Sequence, residues 1–435
     1  KLGQKTARDL WTGTFHAFGL EILRSYPEKA GLPSSFGVID TNDAHSILKE
    51  LMVNIRNTSK EGFKIDKLYS MIGSWREKGQ RGAKSDDEYE VMCEALLPKY
   101  LRQMELMGVV DFEGLLLKPL QLLQEHPKIL ESLQTYFRYV MVDEFQDTNH
   151  TQFNLIQSLA AAHKNLAVVG DDDQSIYGWR GACVSNILEF PHHYPDCRVI
   201  RLERNYRSTP AILAVANEVI RQNAKRHQKI LKADPKAEHG LKPEVFVYET
   251  DDAEAEETAQ QIHYFKNQGF AYKDIAILYR SNGQGGLIEA ELRRHMIPYT
   301  MTGGTGFFDR KETKDLLAYL RCAIVPNEVS FRRIINTPTR GLGETTIDRI
   351  QQFSQEKKIT FYASAKRWRE AGIAEKTGAH IEELLEILNK LPNVILSGPL
   401  EQTPGENLIE WFAEMGYRQH LRAICKNEAT LQKKW

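Results

Sequence analysis

MVDEFQDTN at residues 141–149 and AVVGDDDQSIYGWRGA at 167–182 decide how this chain folds. Each is a short apolar run, rich in valine, that ends abruptly in acids. Three more runs of the same kind follow or flank them: RVIRLE (198–203), EVFVYE (244–249) and DIAILYR (274–280). With YVMVDE (139–144) and LAVVGDD (166–172) they alternate with helical patterns such as TQFNLIQSLAAA and PAILAVANEVIRQ. Buried strands separated by helices predict an α/β architecture with a mainly parallel sheet. SerThrPro at 208–210 reads as a helix start, a capping hydroxyl followed by proline in the first turn.

Outward from these strands the texture is helical. LEILRSY, AHSILKELMVNI, YEVMCEALLPKYLRQMEL and EGLLLKPLQLLQE space apolar residues by three and four across 18–130. From about 306 the same periodicity returns through KETKDLLAYLRCAI, ETTIDRIQQFSQ, HIEELLEILNKL and ENLIEWFAEM. The order is helical block, α/β, α/β, helical block, as a length of 435 residues (too long for one ordinary core) also suggests.

Composition sets limits on function. Lys plus Arg is 57 and Asp plus Glu 58, for a net charge of -1. That balance argues against coating nucleic acid through bulk charge, while leaving room for a local basic groove. No run of eighteen apolar residues occurs, so no membrane span is expected. The five cysteines are scattered without a CxxC pair and read as reduced thiols of a cytoplasmic protein. His192 and His193, between two prolines, read as surface loop residues rather than metal ligands.

Side chains at the carboxyl end of a parallel strand face the crevice where α/β folds bind ligands. Asp143 there suits a hydrated Mg²⁺ that also takes phosphate oxygens, and Glu144 could orient or deprotonate an attacking water. Taken alone, DE could equally begin a solvated loop. Gln174 stands just past the second strand, at the same rim, where a neutral amide can bridge a terminal phosphate or the lytic water. Tyr177, Trp179 and Arg180 suit stacking on bases and contact with phosphates; Gly178 and Gly181 place them in a turn, which favours exposure over burial. In RNYRSTP (204–210), Tyr206 could stack on a base and Arg207 could reach a γ-phosphate. An exposed pair at a helix start is the plain alternative.

In this order the motifs resemble those of UvrD/Rep-type superfamily 1 DNA helicases. GTFHAFG (13–19) is similar to motif Ib, VDEFQD (142–147) to motif II and GDDDQSIYGWRGA (170–182) to motif III. LERNYRS (202–208) and AILYRSN (276–282) resemble the motif IV region. GGTGFFDRKETKDLLAYLR (303–321) and NTPTRGLGETTIDRI (336–350) resemble the start of the family's 2B subdomain. The resemblance implies two incomplete RecA-like (P-loop NTPase) domains, each with a helical insertion. Its expected divisions are the end of a first 1A segment (1–17), insertion 1B (18–130), the second 1A segment (131–200), a first 2A segment (201–305) and part of insertion 2B (306–435).

Carried over by position, the resemblance makes Asp143 the Mg²⁺ ligand and Glu144 the catalytic base. Gln174 would couple the γ-phosphate to DNA, Tyr206 would stack on adenine, and Arg207 would stabilise the transition state. Thr14, Phe15, His16, Tyr177, Trp179 and Arg180 would line the single-strand path, with Arg280 and Asn282 contributing from the second domain. Gly341 and Gly343, with Thr345, would offer backbone N–H groups to duplex phosphates at a helix start; a simple tight turn is the alternative. ATP and Mg²⁺ are the implied cofactors. Single-stranded DNA and single-strand/duplex junctions are the implied partners, with replication or repair proteins beside them. The implied activity is 3′→5′ translocation and unwinding.

Two departures stand out. GQGG at 283–286 replaces a more polar stretch, and DFEGLL at 111–116 replaces a more acidic one. No GxxxxGK(S/T) phosphate loop occurs, so the chain is expected to be a fragment lacking motifs I, Ia, V and VI and inactive alone. Two other readings stay open: a helicase subunit of a helicase–nuclease, and a non-hydrolysing DNA-binding protein on a decayed motor.

Overall fold

The computed structural model describes residues 10–34, 36–53, 62–79, 87–302, 310–326, 328–357, 359–396, 403–425 and 431. It divides into two units. One combines Lys1–Arg198 with Asp315–Trp435, and the other is Val199–Lys314.

In the first unit, α1 (Phe15–Ser25) begins at Thr14, whose hydroxyl oxygen accepts from the Ala17 N–H at 3.2 Å. Gly19 lets this helix meet its neighbour closely. A Cβ there would lie 1.8 Å from the Leu115 carbonyl oxygen, so no larger residue fits. β1 (Gly37–Val38) is followed by α2 (Thr41–Val53), α3 (Ile65–Lys78) and α4 (Glu88–Met107). Leu48, Leu68, Ile72, Leu96 and Tyr100 form the shared core of these three helices. Gly108, at φ +61°, ends α4, and β2 (Val109–Val110) then pairs in parallel with β1.

Between β2 and α5 (Gly114–Glu125) lies DFEG, whose acids turn inward. Asp111 is fully buried and accepts from both Arg76 guanidinium nitrogens, the Tyr100 hydroxyl (3.0 Å) and the Gly114 N–H (2.8 Å). Glu113 accepts from Tyr69 at 2.6 Å, and burial pushes its carboxyl above the usual range. This polar knot fixes α3 and α4 to the start of α5.

After α6 (Pro127–Tyr136) come β3 (Val140–Val142), α7 (His150–Ala160) and β4 (Leu166–Val168). β3 and β4 are parallel, with Val140 opposite Leu166 and Val142 opposite Val168. Asn149 and Gln152 close a capping box on α7. Phe145, Phe153, Ile156 and Phe190 form the core beside this βαβ unit. Short helices α8 (Ser185–Leu188) and α9 (Phe190–His193) follow. His192 and His193 therefore end a helix instead of lying in a loop, and both are exposed.

In the second unit β5 (Arg204–Asn205) pairs in parallel with β6 (Lys232–Ala233), on either side of α10 (Pro210–Ile220). α11 (Asp251–Asn267) and α12 (Asn282–Arg294) pack through Ala259, Ile262, Leu292 and Ile297. The expected strands at 198–203, 244–249 and 274–280 are not formed as ladders. Ile275 and Ile277 do pack against the helices, but Leu202, Val247 and Leu278 are 79%, 90% and 94% exposed. Apolar alternation favours extended backbone; a strand also requires a neighbour to take its N–H and C=O groups.

The last segment is helical, with α13 (Lys311–Ile324), α14 (Glu328–Ile334), α15 (Glu344–Lys357), α16 (Phe361–Lys366), α17 (Glu375–Leu396), α18 (Pro404–Glu414) and α19 (Tyr417–Ile424). Tyr319, Phe331, Trp368, Leu384 and Tyr417 are buried in its core. Within the first unit it is tied to the earlier helices by polar contacts. Arg333 bridges Asp315 (2.8 Å) and Asp43 (3.4 Å), Arg332 lies 3.5 Å from Glu50, and Gln351 donates to Gln103 at 3.1 Å.

Candidate functional site

β3 and β4 stop together and their continuations stay paired for one more step. The Val169 N–H donates to Val142 O at 2.8 Å, and the Phe145 N–H donates to Val169 O at 2.9 Å. Between those bonds the chain must turn sharply, and Glu144 takes φ +50°, a left-handed conformation uncommon outside glycine. Asp143 Oδ1 accepts the Glu144 N–H at 3.0 Å. Phe145 is fully buried, so it anchors the turn while Asp143 and Glu144 stay exposed at the carboxyl end of the sheet. Apolar burial on one side of the turn thus presents two acids on the other.

Gln174 reaches the same rim at the end of a 3₁₀ turn, Asp172–Gln174. Its amide donates to Asp171 Oδ2 at 2.7 Å, and Asp171 Oδ1 also accepts the Asp173 N–H. Two buried amides that sequence reasoning did not select brace this rim, the first by joining the two turns and the second by holding the chain just after Asp147. Gln146, 1% exposed, donates to Glu144 Oε2 at 2.8 Å and accepts the Asp171 N–H at 3.0 Å. Asn186, 4% exposed, donates to the Thr148 carbonyl oxygen at 3.0 Å. The available signal was their polarity next to apolar runs, which also marks ordinary loops. Asp147 is pushed above the usual carboxylate range, first by burial and then by Glu144 nearby.

Among the described residues no group of three or more His, Cys, Asp or Glu side chains could hold a metal ion. A single exposed aspartate beside a second carboxylate fits Mg²⁺, which keeps water and phosphate oxygens as its other ligands.

Beyond Gln174 the chain makes the tryptophan turn. The Arg180 and Ala182 N–H groups both donate to Tyr177 O, at 2.8 and 3.2 Å, and Gly181 closes the turn at φ +89°. Trp179 is 64% exposed, as its flanking glycines predict. The Arg180 guanidinium carbon stands 4.6 Å from the Trp179 ring centre and 5.3 Å from that of Tyr177. The outcome is an exposed aromatic platform carrying one cation, anchored by the Cys183 N–H donating to Thr148 O at 2.9 Å.

The start of α1 is less uniform. Thr14 is exposed, although its hydroxyl oxygen is engaged in the cap; Phe15 packs against the Val142–Phe145 core. His16 is half-buried with its ring edge-on to Phe112 at 5.7 Å, and burial lowers its pKa. Within the RGLG turn Gly341 (φ +71°) and Gly343 are exposed with open space where a Cβ would stand, and Thr345 is exposed in the first turn of α15. Arg340 turns inward from this loop, donating to Ile334 O (2.9 Å), Pro338 O (3.2 Å) and the Tyr319 hydroxyl. Asn336 donates to Leu342 O at 2.9 Å. The glycines, not the arginine, form the outer surface.

In the second unit, Asn205 Oδ1 accepts the N–H groups of Arg207 (2.9 Å) and Ser208 (2.8 Å). That turn leaves Tyr206 76% exposed and Arg207 exposed. Thr209 is the cap residue of α10 and Pro210 its first residue, but the expected hydroxyl bond is not made; Thr209 Oγ1 is buried without a hydrogen-bond partner. Arg280 is exposed, its N–H and that of Ser281 donating to Gln284 Oε1 at 3.0 and 3.1 Å. Asn282 opens α12, and its side chain lies outside the described residues, as does the GGTGFFD stretch at 303–309.

Two family profiles match the chain: the UvrD/REP helicase N-terminal domain over residues 1–195 and the UvrD-like helicase C-terminal domain over 200–368. Among curated proteins, an ATP-dependent DNA helicase PcrA of Staphylococcus aureus (strain Mu50) is 36% identical over 396 residues, covering 90% of this chain and 54% of the relative. The protein of the same name from Staphylococcus epidermidis (strain RP62A) is 35% identical over 422 residues, covering 95% and 57%. The chain thus spans about half the length of the curated relatives it matches.

Proposed function

Because the chain belongs to the UvrD/Rep-type superfamily 1 helicase family, with RecA-like α/β domains, we propose that it serves ATP-driven 3′→5′ movement on single-stranded DNA and unwinding at junctions. One observation carries this reading. Asp143, Glu144 and Gln174 stand at the carboxyl end of one parallel strand pair, and the exposed Trp179–Arg180 platform follows Gln174 within seven residues. One short segment can therefore respond to both a nucleotide and a base.

In this proposal Asp143 holds Mg²⁺, which when bound neutralises charge on the phosphate oxygens. Glu144 accepts a proton from the attacking water, and Gln174 contacts the γ-phosphate. Tyr206 stacks on adenine and Arg207 donates to the charge that develops in the transition state. Trp179, with Tyr177, stacks on bases while Arg180 faces phosphate; Thr14, Phe15 and His16 border the strand, and Arg280 and Asn282 are further DNA contacts. The N–H groups of Gly341, Gly343 and Thr345 receive duplex phosphate. Replication and repair proteins are its proposed partners.

Glu144→Gln in the full-length protein tests the assignment. ATP binding should persist, while DNA-stimulated turnover should fall by about 10²–10⁴-fold, the usual contribution of a general base. Near-normal kcat would remove Glu144 from the mechanism.

A further inference from the structure

Glu144 and Gln174 are joined by an unbroken row of three hydrogen bonds. Gln146 Nε2 donates to Glu144 Oε2 at 2.8 Å, the Asp171 N–H donates to Gln146 Oε1 at 3.0 Å, and Gln174 Nε2 donates to Asp171 Oδ2 at 2.7 Å. The middle member is the buried one. Its amide uses one end on a carboxylate and the other on a backbone N–H, so neither neighbour can move without straining or breaking a bond to a side chain that is itself shielded from water. The backbone carbonyl of Gln146 is also engaged, accepting from the Ser175 hydroxyl at 3.2 Å.

The chain makes room for this amide. A Cβ at residue 170 would stand 2.5 Å from Gln146 Oε1, so Gly170 allows the approach by its size. The main chain at residue 170 does not need a left-handed φ. Glu144, held at φ +50°, lies at the other end of the row, where a displaced partner has the most effect on orientation.

We propose that Gln146 is a positioning residue. It sets the Glu144 carboxylate for the lytic water and ties that setting to the Asp171–Gln174 turn, so that a shift of Gln174 toward or away from phosphate is transmitted to the base. A carboxylate at this position could still accept from Asp171 but could not donate to Glu144. An apolar side chain of similar length could do neither. The proposal rests on the assignment of Glu144 as base and Gln174 as phosphate contact.

The experiment compares Gln146→Met, the isosteric Gln146→Glu, and Glu144→Gln in the full-length protein, using ATP and oligo-dT. For both Gln146 variants kcat should fall roughly 10–100-fold, the scale of a misplaced catalytic group. KM for ATP should stay within about twofold, as expected for an interaction felt mainly in the transition state. Gln146→Glu, which keeps the Asp171 bond, should retain oligo-dT affinity; Gln146→Met should also lose most of the stimulation of ATPase by oligo-dT. Unchanged kcat in Gln146→Met while Glu144→Gln is inactive overturns the proposal and leaves the base assignment standing. So does a joint loss of kcat, ATP affinity, DNA affinity and thermal stability in Gln146→Glu, since that pattern marks a purely structural role. Full activity in Glu144→Gln would instead overturn the underlying reading.

Discussion

Replacing Asp111 by asparagine should loosen the helical part of the first unit far more than its conservative appearance suggests. The carboxylate is fully buried and receives both Arg76 nitrogens, the Tyr100 hydroxyl and the Gly114 N–H. Arg76 is itself only 10% exposed as a side chain. Asparagine keeps the volume but removes the charge and turns one acceptor into a donor. A buried guanidinium then lacks its counterion, a loss of about 3–5 kcal/mol when one partner of a buried pair is removed. At about 1.4 kcal/mol per tenfold, amide exchange limited by local opening of α3 and α4 should accelerate by about two to three and a half orders of magnitude. Hydrogen exchange followed by mass spectrometry on peptides from 65–78 and 88–107 measures this directly. Exchange in α17 supplies the internal control and should change little. If Asp111→Asn alters exchange in α3 and α4 by less than about fivefold, roughly 1 kcal/mol on the same scale, the pair is not what holds these helices. A double-mutant cycle with Arg76→Met adds a second check, because independent effects would simply sum.

Two further outcomes follow from the same geometry. Glu113→Gln preserves an acceptor for Tyr69 and removes a charge that burial disfavours. Since the folded carboxyl titrates above its ordinary value, the native state binds more protons, and stability falls as pH rises from the ordinary carboxylate range through the raised one. The variant should match wild type below that window and exceed it at neutral pH in urea titrations; lower stability at pH 7 would contradict this. Trp179→Ala in the full-length protein should weaken single-strand binding by about 1–3 kcal/mol, the worth of one base–aromatic stack. ATP affinity should not change, and equal DNA affinity in equilibrium titration would rule out the platform.

The βαβ unit around the acids was legible because valine-rich runs next to a capped amphipathic helix leave few alternatives. Exposure of Trp179 was legible for a related reason, since glycines on both sides prevent the turn from packing away. Val247 and Leu278 show what the pattern lacks. Their alternation is that of a strand, but ladder pairing depends on residues distant in sequence. Gln146 and Asn186 were hidden differently. Their importance comes from partners 25 and 38 residues away, and nothing local separates them from loop amides. In sequence Asp111 marks only a stretch less acidic than its relatives', whereas its burial against Arg76 is visible only once α3, α4 and the start of α5 converge.

The first unit is built from two stretches of chain with the second unit inserted between them, and this affects the order of its synthesis. Arg333 meets Asp43 across 290 residues of sequence. At translation rates of about 5–20 residues per second, Asp43 leaves the ribosome roughly 15–60 s before its partner exists. During that interval the acids on α2 face solvent, and the apolar surface that later receives Val329 is open to chaperones. Nascent chains stalled before α14 has emerged should therefore leave α2 less protected than it is in the completed chain.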